Sequence, residues 1–170
     1  MYKKGFPKMS LKAGFRIPSA TFYTKDEDGI SANDTVEYFA DRKIVVFALP
    51  GAFTPTCTAR HLPTYLEKHD DLMGIGVDAI ACLAVNDAHV MRAWALDQNT
   101  VGKIDMLADS TMAVSSALGI LVNMGDILGN RATRCAFVAD DGVISHAFIE
   151  EVGMFEVSDA GTILTALTGA

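Results

Sequence analysis

The segment KIVVFALPGAFTPTC, residues 43–57, combines an apolar run, a proline-bounded turn and a cysteine. The apolar run at residues 43–49 is short and rich in Val, which is typical of a strand buried on both faces of a parallel sheet. Pro50 and Pro55 stiffen the loop that follows, and Cys57 stands where the next helix is expected to begin. Binding sites of α/β proteins lie at the carboxyl ends of parallel strands. The candidate site is therefore this turn.

The sequence on either side of this segment alternates between strand and helix patterns. Further apolar runs predict strands at 77–85 and 103–108, and an Asp-Asp-Gly turn predicts a hairpin over 134–150. A short strand, a KDEDG turn and an NDTVEYFAD helix are predicted within 20–42. Apolar periodicity and capping residues predict four more helices, at 58–73, 87–99, 109–120 and 158–168. This order predicts one α/β domain over 1–170, with helices on both faces of a mostly parallel sheet.

The helix after the cysteine contains a proline. Leu62, Leu66 and other apolar residues between 58 and 73 recur at spacings of three and four, as on one face of a helix. Pro63 removes one backbone hydrogen bond, and the periodicity resumes after it. We therefore predict a kinked helix.

Composition restricts the classes of function. Of the 170 residues, 50% are hydrophobic and 21% are charged, as in compact globular proteins. The formal net charge of −7 gives no long-range attraction to nucleic-acid phosphates or anionic lipid. No apolar stretch reaches the length of a membrane span, and the first fifteen residues lack the apolar core of a secretory signal. We expect no nucleic-acid or membrane partner and a cytoplasmic location.

Three cysteines, Cys57, Cys82 and Cys135, are present at wide spacings. This odd number fits neither a disulfide framework nor a metal-ligand cluster, so free thiols are expected. Cys57 differs from the others because the N–H groups and partial positive charge of a first helical turn stabilise a thiolate. An isolated cysteine is otherwise more often a small buried core residue. The loop around Cys57 favours the reactive interpretation.

Thr54 is the second group in this loop that suits chemistry. It stands three residues before Cys57, close enough in a tight loop for its hydroxyl to meet both the sulfur and a substrate oxygen. A loop stiffened by prolines also holds reacting groups in position and keeps bulk water away. These features indicate a site at which a reaction takes place.

Pro50-Gly-Ala-Phe-Thr54-Pro-Thr-Cys57 resembles the P-x-x-x-T-x-x-C motif of the peroxiredoxins, which are thiol peroxidases with a thioredoxin-like fold. Other segments resemble the type II, or five-type, subgroup: TARHLP (58–63), ACLAVND (81–87), VMRAW (90–94) and GNRATRCAFVADDGV (129–143). The resemblance begins near residue 10 and covers most of the chain. It implies a thioredoxin-like α/β fold with an N-terminal extension and a central mixed β-sheet flanked by helices. No cofactor is predicted.

The resemblance also implies roles for individual residues. Cys57 is expected to be the peroxidatic cysteine, Pro50 to shield its sulfenic acid, and Thr54 and Arg134 to orient the peroxide. The resemblance favours Arg134 over the nearby Arg131 because Arg134 immediately precedes the apolar strand, whereas spacing alone does not separate the two. An arginine beside Cys57 would stabilise the thiolate and the charge that develops on the peroxide oxygens.

No resolving cysteine stands out. Some members of the subgroup carry one after the hairpin, but residues 150–162 contain no cysteine. Other members use the cysteine of the strand after the catalytic helix, where Cys82 stands. Because Cys82 is in the middle of an apolar strand, an inert buried thiol is an equally suitable interpretation. Cys135 is expected to point away from the face of Arg134 and is interpreted as a core residue.

His61 stands one helical turn after Cys57 and is a candidate to contact or tune the site. The remaining histidines are scattered, and no group of His, Cys, Asp and Glu has metal-ligand spacing, so no metal site is predicted. Phe53 lies in the active-site loop, which the resembled proteins pack against a partner subunit. The resemblance therefore implies a homodimer with Phe53 at its interface.

The predicted function is a thiol peroxidase for hydrogen peroxide and alkyl hydroperoxides. Its reductant is expected to be glutathione with glutaredoxin, or thioredoxin; we favour a small thiol or glutaredoxin-type donor that attacks Cys57 directly, with Cys82 dispensable. A redox sensor or holdase, in which oxidised Cys57 signals to a partner, is a second hypothesis that a steady-state peroxidase assay separates from the first. A thioredoxin-like disulfide reductase is disfavoured because no C-x-x-C motif exists: the residue three before Cys57 is Thr54.

Overall fold

The computed structural model describes residues 10–169, which form a sheet with helices packed on both faces. The strands are β1 (Thr21–Lys25), β2 (Ile30–Asp34), β3 (Lys43–Ala48), β4 (Ala79–Ala84), β5 (Asp105–Ala108), β6 (Leu121–Asn123), β7 (Asn130–Ala132), β8 (Cys135–Asp140) and β9 (Val143–Ile149). The helices are α1 (Thr35–Phe39), a π-helical turn (Cys57–His61), α2 (Leu62–Glu67), α3 (His69–Gly74), α4 (Ala88–Asp97), α5 (Ala113–Ala117), α6 (Gly125–Leu128) and α7 (Ala160–Thr168). Within 10–169, no helix has the length and apolar character needed to cross a membrane.

Seven strands form one mixed sheet in the order β2-β1-β5-β4-β3-β8-β9, and β6 pairs with β7 separately. The strands predicted from apolar runs, β3, β4 and β5, are parallel to one another. The outer strands join antiparallel, β1 to β5 and β8 to β3, so the prediction of a mostly parallel sheet was wrong. Strand β8 is buried on both faces like a parallel strand, and burial does not reveal direction. The mixed sheet implied by the resemblance is confirmed.

The sheet separates two apolar cores. One core contains Cys57 and Cys82 with aromatic residues of β3 and the helices, and the other contains Cys135. Successive side chains of a strand point to opposite faces, so Phe47 lies in the first core and Val46 in the second. Cys135 is accordingly buried away from Cys57, as predicted.

The chain after the cysteine is less regular than the predicted kinked helix. The Leu62 N–H donates to the carbonyl of Cys57, five residues earlier, which makes the first turn π-helical. Pro63 follows at once and has no N–H for the carbonyl of Ala59, so the wide turn lies where the kink was predicted. A second break at Lys68 separates α2 from α3 and was not predicted.

Other element boundaries also differ from prediction. Helix α5 is five residues long, because Asp109 folds back to accept the N–H groups of Val114 and Ser115, and Met112 adopts a positive φ of 64°. The β6–β7 hairpin lies in a stretch without a predicted element. Strand β2 takes the first two residues of the predicted NDTVEYFAD helix, and Asp34 caps the shorter α1. The predicted N-terminal extension falls mainly on residues 1–9, which lie outside the described residues.

Candidate active site

Cys57 lies at the end of the loop that leaves the carboxyl end of β3. Its side chain is fully buried in the first core, and it begins the π-helical turn. The N–H of Thr58 donates to the carbonyl of Thr54 at 3.0 Å, so the loop curls into this turn without a break. The sulfur therefore lies at the first turn of a helix, where the partial positive charge of the helix N-terminus favours a thiolate.

Arg134 immediately precedes β8, the strand next to β3, and its side chain contacts Cys57. Strand β8 pairs antiparallel with β3 so that Ala48 faces Cys135, which brings Arg134 beside the start of the active-site loop. The Nη2 of Arg134 donates to the Sγ of Cys57 at 3.3 Å. A permanent cation thus contacts the thiol, although 77 positions separate the two residues in the chain.

His61 fixes the other arm of the same guanidinium. Arg134 Nη1 donates to Nδ1 of His61 at 2.9 Å, and His61 Nε2 lies 3.0 Å from the carbonyl oxygen of Ser158. Both contacts are satisfied when the ring carries its hydrogen on Nε2. Burial, and after it the charge of Arg134, lowers the pKa of His61 to about 3, against weaker opposite effects of the hydrogen bond with Ser158 and of the charges of Glu150 and Asp159. The ring is therefore a neutral acceptor at physiological pH.

The carbonyl of Ser158 is held by residues that sequence reasoning did not single out. It accepts a second hydrogen bond from the hydroxyl of Tyr65 at 2.7 Å. Oε1 of Glu150 accepts four hydrogen bonds of 2.8 Å, from the N–H groups of Glu156, Val157 and Ser158 and from the Ser158 hydroxyl. Burial alone would raise the pKa of Glu150, but these bonds hold that pKa below its usual value.

Nothing in the sequence distinguishes Glu150 from its neighbour. The chain has two consecutive glutamates at 150–151, and only the first is buried, at 5% exposure. A buried carboxylate is rare unless it is paired or hydrogen-bonded. The property that distinguishes Glu150 is therefore its burial, which the structure shows and the sequence does not.

Thr54 and Pro50 line a pocket of about 340 Å³ together with Arg134. The Thr54 hydroxyl donates to the carbonyl of Gly51 at 2.8 Å, which keeps the loop tight and leaves its oxygen lone pairs as acceptors. Apolar lining comes from Met124, Leu128 and Val152. Cys57 itself is fully buried and does not line the pocket, and Arg134 is the residue that both lines the pocket and contacts its sulfur.

Arg131 braces the loop and does not contact the sulfur. Its Nε donates to the carbonyl of Leu128 at 2.7 Å, and its Nη1 donates to the carbonyls of Val85 and Pro50 at 3.0 and 3.4 Å. A Cβ at Gly51 would stand 3.0 Å from the same Nη1, so a larger residue there would have to displace the end of this arginine by a few tenths of an ångström. The contacts thus distinguish the two arginines, which their spacing in the sequence did not: Arg134 contacts the sulfur and Arg131 contacts the backbone of the loop.

Cys82 and Cys135 are enclosed in the sheet. Cys82 lies in the middle of β4 with Phe47 and Met106 opposite on the flanking strands, and burial raises the pKa of its thiol. Burial likewise raises the pKa of the Cys135 thiol to about 12. Both thiols are protonated at neutral pH.

Phe53 is half exposed at the surface of the active-site loop. It is 52% exposed, has a positive φ of 63°, and places its ring 6.5 Å from that of Trp94. Val152 and Met154 are two further exposed apolar residues, and Val152 lines the pocket beside Pro50. An aromatic ring is thus presented to solvent beside the site.

Known proteins are similar to this chain in sequence and in fold. The sequence model of the family described as Redoxin matches residues 12–164. The chloroplastic peroxiredoxin-2E-2 of Oryza sativa is 44% identical over 165 residues, which cover 93% of this chain and 73% of the relative. The chain belongs to the peroxiredoxin family. This peroxiredoxin is a thiol-dependent peroxidase, which uses a peroxide as substrate and a thiol as reductant.

Two bacterial proteins resemble the peroxiredoxin over nearly their whole length. A peroxiredoxin of Synechocystis sp. is 38% identical over 91% of this chain and 90% of the relative. The crystal structure of reduced Prx3 from Vibrio vulnificus in complex with H₂O₂ has a TM-score of 0.89 and 42% identity, and covers 92% of this chain and 99% of that one. The thioredoxin-like fold implied by the sequence is confirmed.

Proposed function

We propose that Cys57 is the peroxidatic cysteine of this thiol peroxidase and that Arg134, Thr54 and Pro50 complete its active site. The observation that carries the proposal is the 3.3 Å contact of the Arg134 guanidinium with the Cys57 sulfur at the first turn of a helix. The guanidinium and the N–H groups of the turn both favour a thiolate. The other two thiols are buried without such a partner among the described residues.

The thiolate of Cys57 attacks one oxygen of the hydroperoxide. The S–O bond forms as the O–O bond breaks, and the departing oxygen takes a proton to leave as water or an alcohol. The sulfur is oxidised to sulfenic acid and the peroxide is reduced. Arg134 stabilises the negative charge that moves from sulfur to the leaving oxygen, and its fork geometry allows contact with sulfur and oxygen together.

Thr54 and Pro50 act on the same step. The lone pairs of the Thr54 hydroxyl accept a hydrogen bond from the peroxide and orient it toward the sulfur. Pro50 covers the sulfenic acid on the pocket side, which limits attack by a second peroxide molecule and the largely irreversible step to sulfinic acid. The substrates are hydrogen peroxide, which the Vibrio vulnificus protein holds in its crystal structure, and alkyl hydroperoxides.

The reductant is an external thiol of the glutathione–glutaredoxin or thioredoxin type. A first thiol attacks the sulfenic acid, forms a mixed disulfide and releases water. A second thiol then attacks the donor sulfur of the mixed disulfide, so the two donor thiols leave as a disulfide and Cys57 is restored as a thiolate. Because Cys57 is fully buried, the turn that carries it has to open before a donor can reach the sulfur. A disulfide with Cys82 would require opening of the cover of β4 as well, so the external thiol is favoured.

The peroxiredoxin acts as a two-fold dimer in the cytoplasm. Phe53 is the proposed interface residue, because it is an exposed aromatic residue and aromatic residues are enriched at subunit interfaces. The cytoplasmic location stays a prediction, since the Oryza sativa relative is named as chloroplastic. That residues 1–170 form a single domain also stays a prediction, supported by the family match over 12–164.

The role of Cys57 is tested by replacing it with Ser. Cys57→Ser should abolish peroxide reduction, because a hydroxyl supplies almost no anion at neutral pH. Cys135→Ser is the matched control, since it alters another fully buried cysteine on the far side of the sheet and should keep the activity. A steady-state assay with hydrogen peroxide and excess thiol, on variants whose folding is checked by circular dichroism, measures both. Activity retained in Cys57→Ser contradicts the proposal.

A further inference from the structure

Glu150 is a buried acid that binds a turn of the backbone. One carboxylate oxygen accepts three consecutive N–H groups, of residues 156–158, and the Ser158 hydroxyl, all at 2.8 Å. Within residues 10–169, no basic side chain forms an ion pair with it. Four charge-assisted hydrogen bonds to one segment fix the position of that segment strongly. The carboxylate therefore determines where the turn that ends at Ser158 lies.

This turn delivers a single carbonyl to the active site. The carbonyl of Ser158 accepts from His61 Nε2 at 3.0 Å and from the Tyr65 hydroxyl at 2.7 Å. Glu150 is also tied to the other side of the site, since its backbone N–H donates to the carbonyl of Arg134 at 3.0 Å. One residue thus holds both the backbone of Arg134 and the partner of the histidine that Arg134 contacts.

The tautomer of the His61 ring determines whether Arg134 can donate a hydrogen bond to it. A guanidinium offers only donors, so its Nη1 needs an acceptor, and His61 Nδ1 is that acceptor only while the hydrogen sits on Nε2. The Ser158 carbonyl selects this tautomer. Without it the ring can carry its hydrogen on Nδ1, which would set donor against donor and push the guanidinium away from the Cys57 sulfur.

We propose that Glu150 is a positioning residue for peroxide reduction, acting through Ser158 and His61 to aim the Arg134 guanidinium at Cys57. The inference rests on the proposed role of Cys57. It adds to that role a chain of contacts from a carboxylate that touches neither the sulfur nor the pocket. Displacement of a reacting group by about 1 Å costs on the order of a hundredfold in rate.

The test replaces Glu150 by Gln, which has the same shape but no charge, so the hydrogen bonds to its oxygen lose the assistance of the carboxylate charge. Glu150→Gln should slow the oxidation of Cys57 by hydrogen peroxide by about ten- to a hundredfold in a single-turnover stopped-flow experiment. Glu67→Gln is the control, because it removes a carboxylate exposed on α2, and it should leave the rate unchanged. The ¹⁵N shifts of the His61 ring should report the Nε2–H tautomer in the wild type and lose that signature in Glu150→Gln.

Two further results separate positioning from mere stability. His61→Leu removes the acceptor of Arg134, so it should slow the reaction to a similar extent, and the double variant should be no slower than the slower single variant. If Glu150→Gln does not fold, Ser158→Ala, which removes one of the four bonds, should show a smaller change in the same direction. A folded variant with an unchanged rate and an unchanged His61 tautomer, or full additivity in the double variant, overturns the inference. These outcomes leave the role of Cys57 untouched, because that role depends on Cys57→Ser.

Discussion

At the residue scale, the two arms of Arg134 have different tasks. One nitrogen contacts the Cys57 sulfur at 3.3 Å and the other contacts His61 at 2.9 Å, so the orientation of the charge is fixed by a side chain that carries no charge itself. A lysine ammonium is a point charge and could not hold both contacts in a plane. The site thus uses geometry as well as charge.

Thr54→Val tests the residue that is proposed to orient the peroxide. Valine has nearly the same shape but lacks the hydroxyl, so the peroxide loses its acceptor and its orientation. We expect a loss of about a hundredfold or more in the rate of Cys57 oxidation, similar to the loss of one oriented polar group in other active sites. The exposed Thr111→Val is the matched control. An unchanged rate constant in stopped-flow measurements removes Thr54 from the site.

The sequence predicted some of these residues for a physical reason. Thr54 and Cys57 share one stiff loop, so their proximity follows from three positions of spacing. Arg134 came only from the resemblance, since its contact with Cys57 crosses 77 positions. The contact of His61 with Ser158 crosses 97 positions, and the burial of Glu150 depends on a turn of no special composition, so neither was predictable.

At the element scale, buried strands were easier to predict than short elements. Strands β3, β4 and β5 were found because continuous apolar runs mark strands with two covered faces. The length of helix α5 was overestimated because Asp-Ser-Thr at 109–111 forms a turn. Its first residue, Asp109, caps a helix that starts four residues later. The three-residue strands of the β6–β7 hairpin are too short to show a period.

Strand β4 makes a prediction about the resolution of oxidised enzyme. A disulfide needs the two sulfurs about 2 Å apart, and Cys82 is fully buried in the middle of this strand. Cys82→Ser should therefore keep nearly wild-type turnover with a small thiol or glutaredoxin-type donor. One equivalent of peroxide should leave Cys57 as a sulfenic acid that a trapping reagent labels, as measured by intact mass.

The opposite outcome is equally measurable. A rapidly formed disulfide between Cys57 and Cys82, found by peptide analysis and lost together with turnover in Cys82→Ser, would make the protein a two-cysteine peroxidase. Reduction by a small thiol would then be a side reaction.

At the scale of the whole molecule, the packing of His61 affects stability as well as reactivity. The pKa of His61 is about 3 in the folded protein and near 6.5 in an unfolded chain. The unfolded state therefore binds more protons between these values, so the free energy of unfolding falls as the pH drops below about 6.5. More than about one pH unit above that value the ring is neutral in both states and contributes no pH dependence.

Urea unfolding at several pH values checks this linkage. Between pH 6.5 and 5 the wild type should lose about 1.6 kcal/mol more than His61→Leu, because the unfolded ring is half protonated at pH 6.5 and the slope rises to about 1.4 kcal/mol per pH unit only below that pH. Other acidic groups affect both proteins alike, so only the difference between the curves is attributed to His61. Parallel curves would show that the folded ring titrates normally.

Assembly is the second property of the whole molecule that can be tested. Phe53 is 52% exposed on the active-site loop, and Leu96 is similarly exposed, at 56%, on α4. At micromolar concentration the wild type should sediment as a dimer, and Phe53→Glu should shift it toward the 18.2 kDa monomer by placing a charge in the apolar contact. Leu96→Glu should leave the dimer intact. A monomeric wild type, or equal behaviour of the two variants, contradicts the proposed interface.

Because Cys57 precedes Arg134 in the chain, it is synthesised before the residue that contacts its sulfur. The two residues are 77 positions apart, so a ribosome that adds about 5 to 20 residues per second makes the cysteine roughly 4 to 15 s before the arginine. For that interval the nascent thiol has no guanidinium beside it, and the turn that supports His61 has not been made. While the chain is still unfolded, Cys57 therefore lacks the groups that stabilise its thiolate. The cysteine becomes reactive toward peroxide only when the folded structure has brought Arg134 beside it.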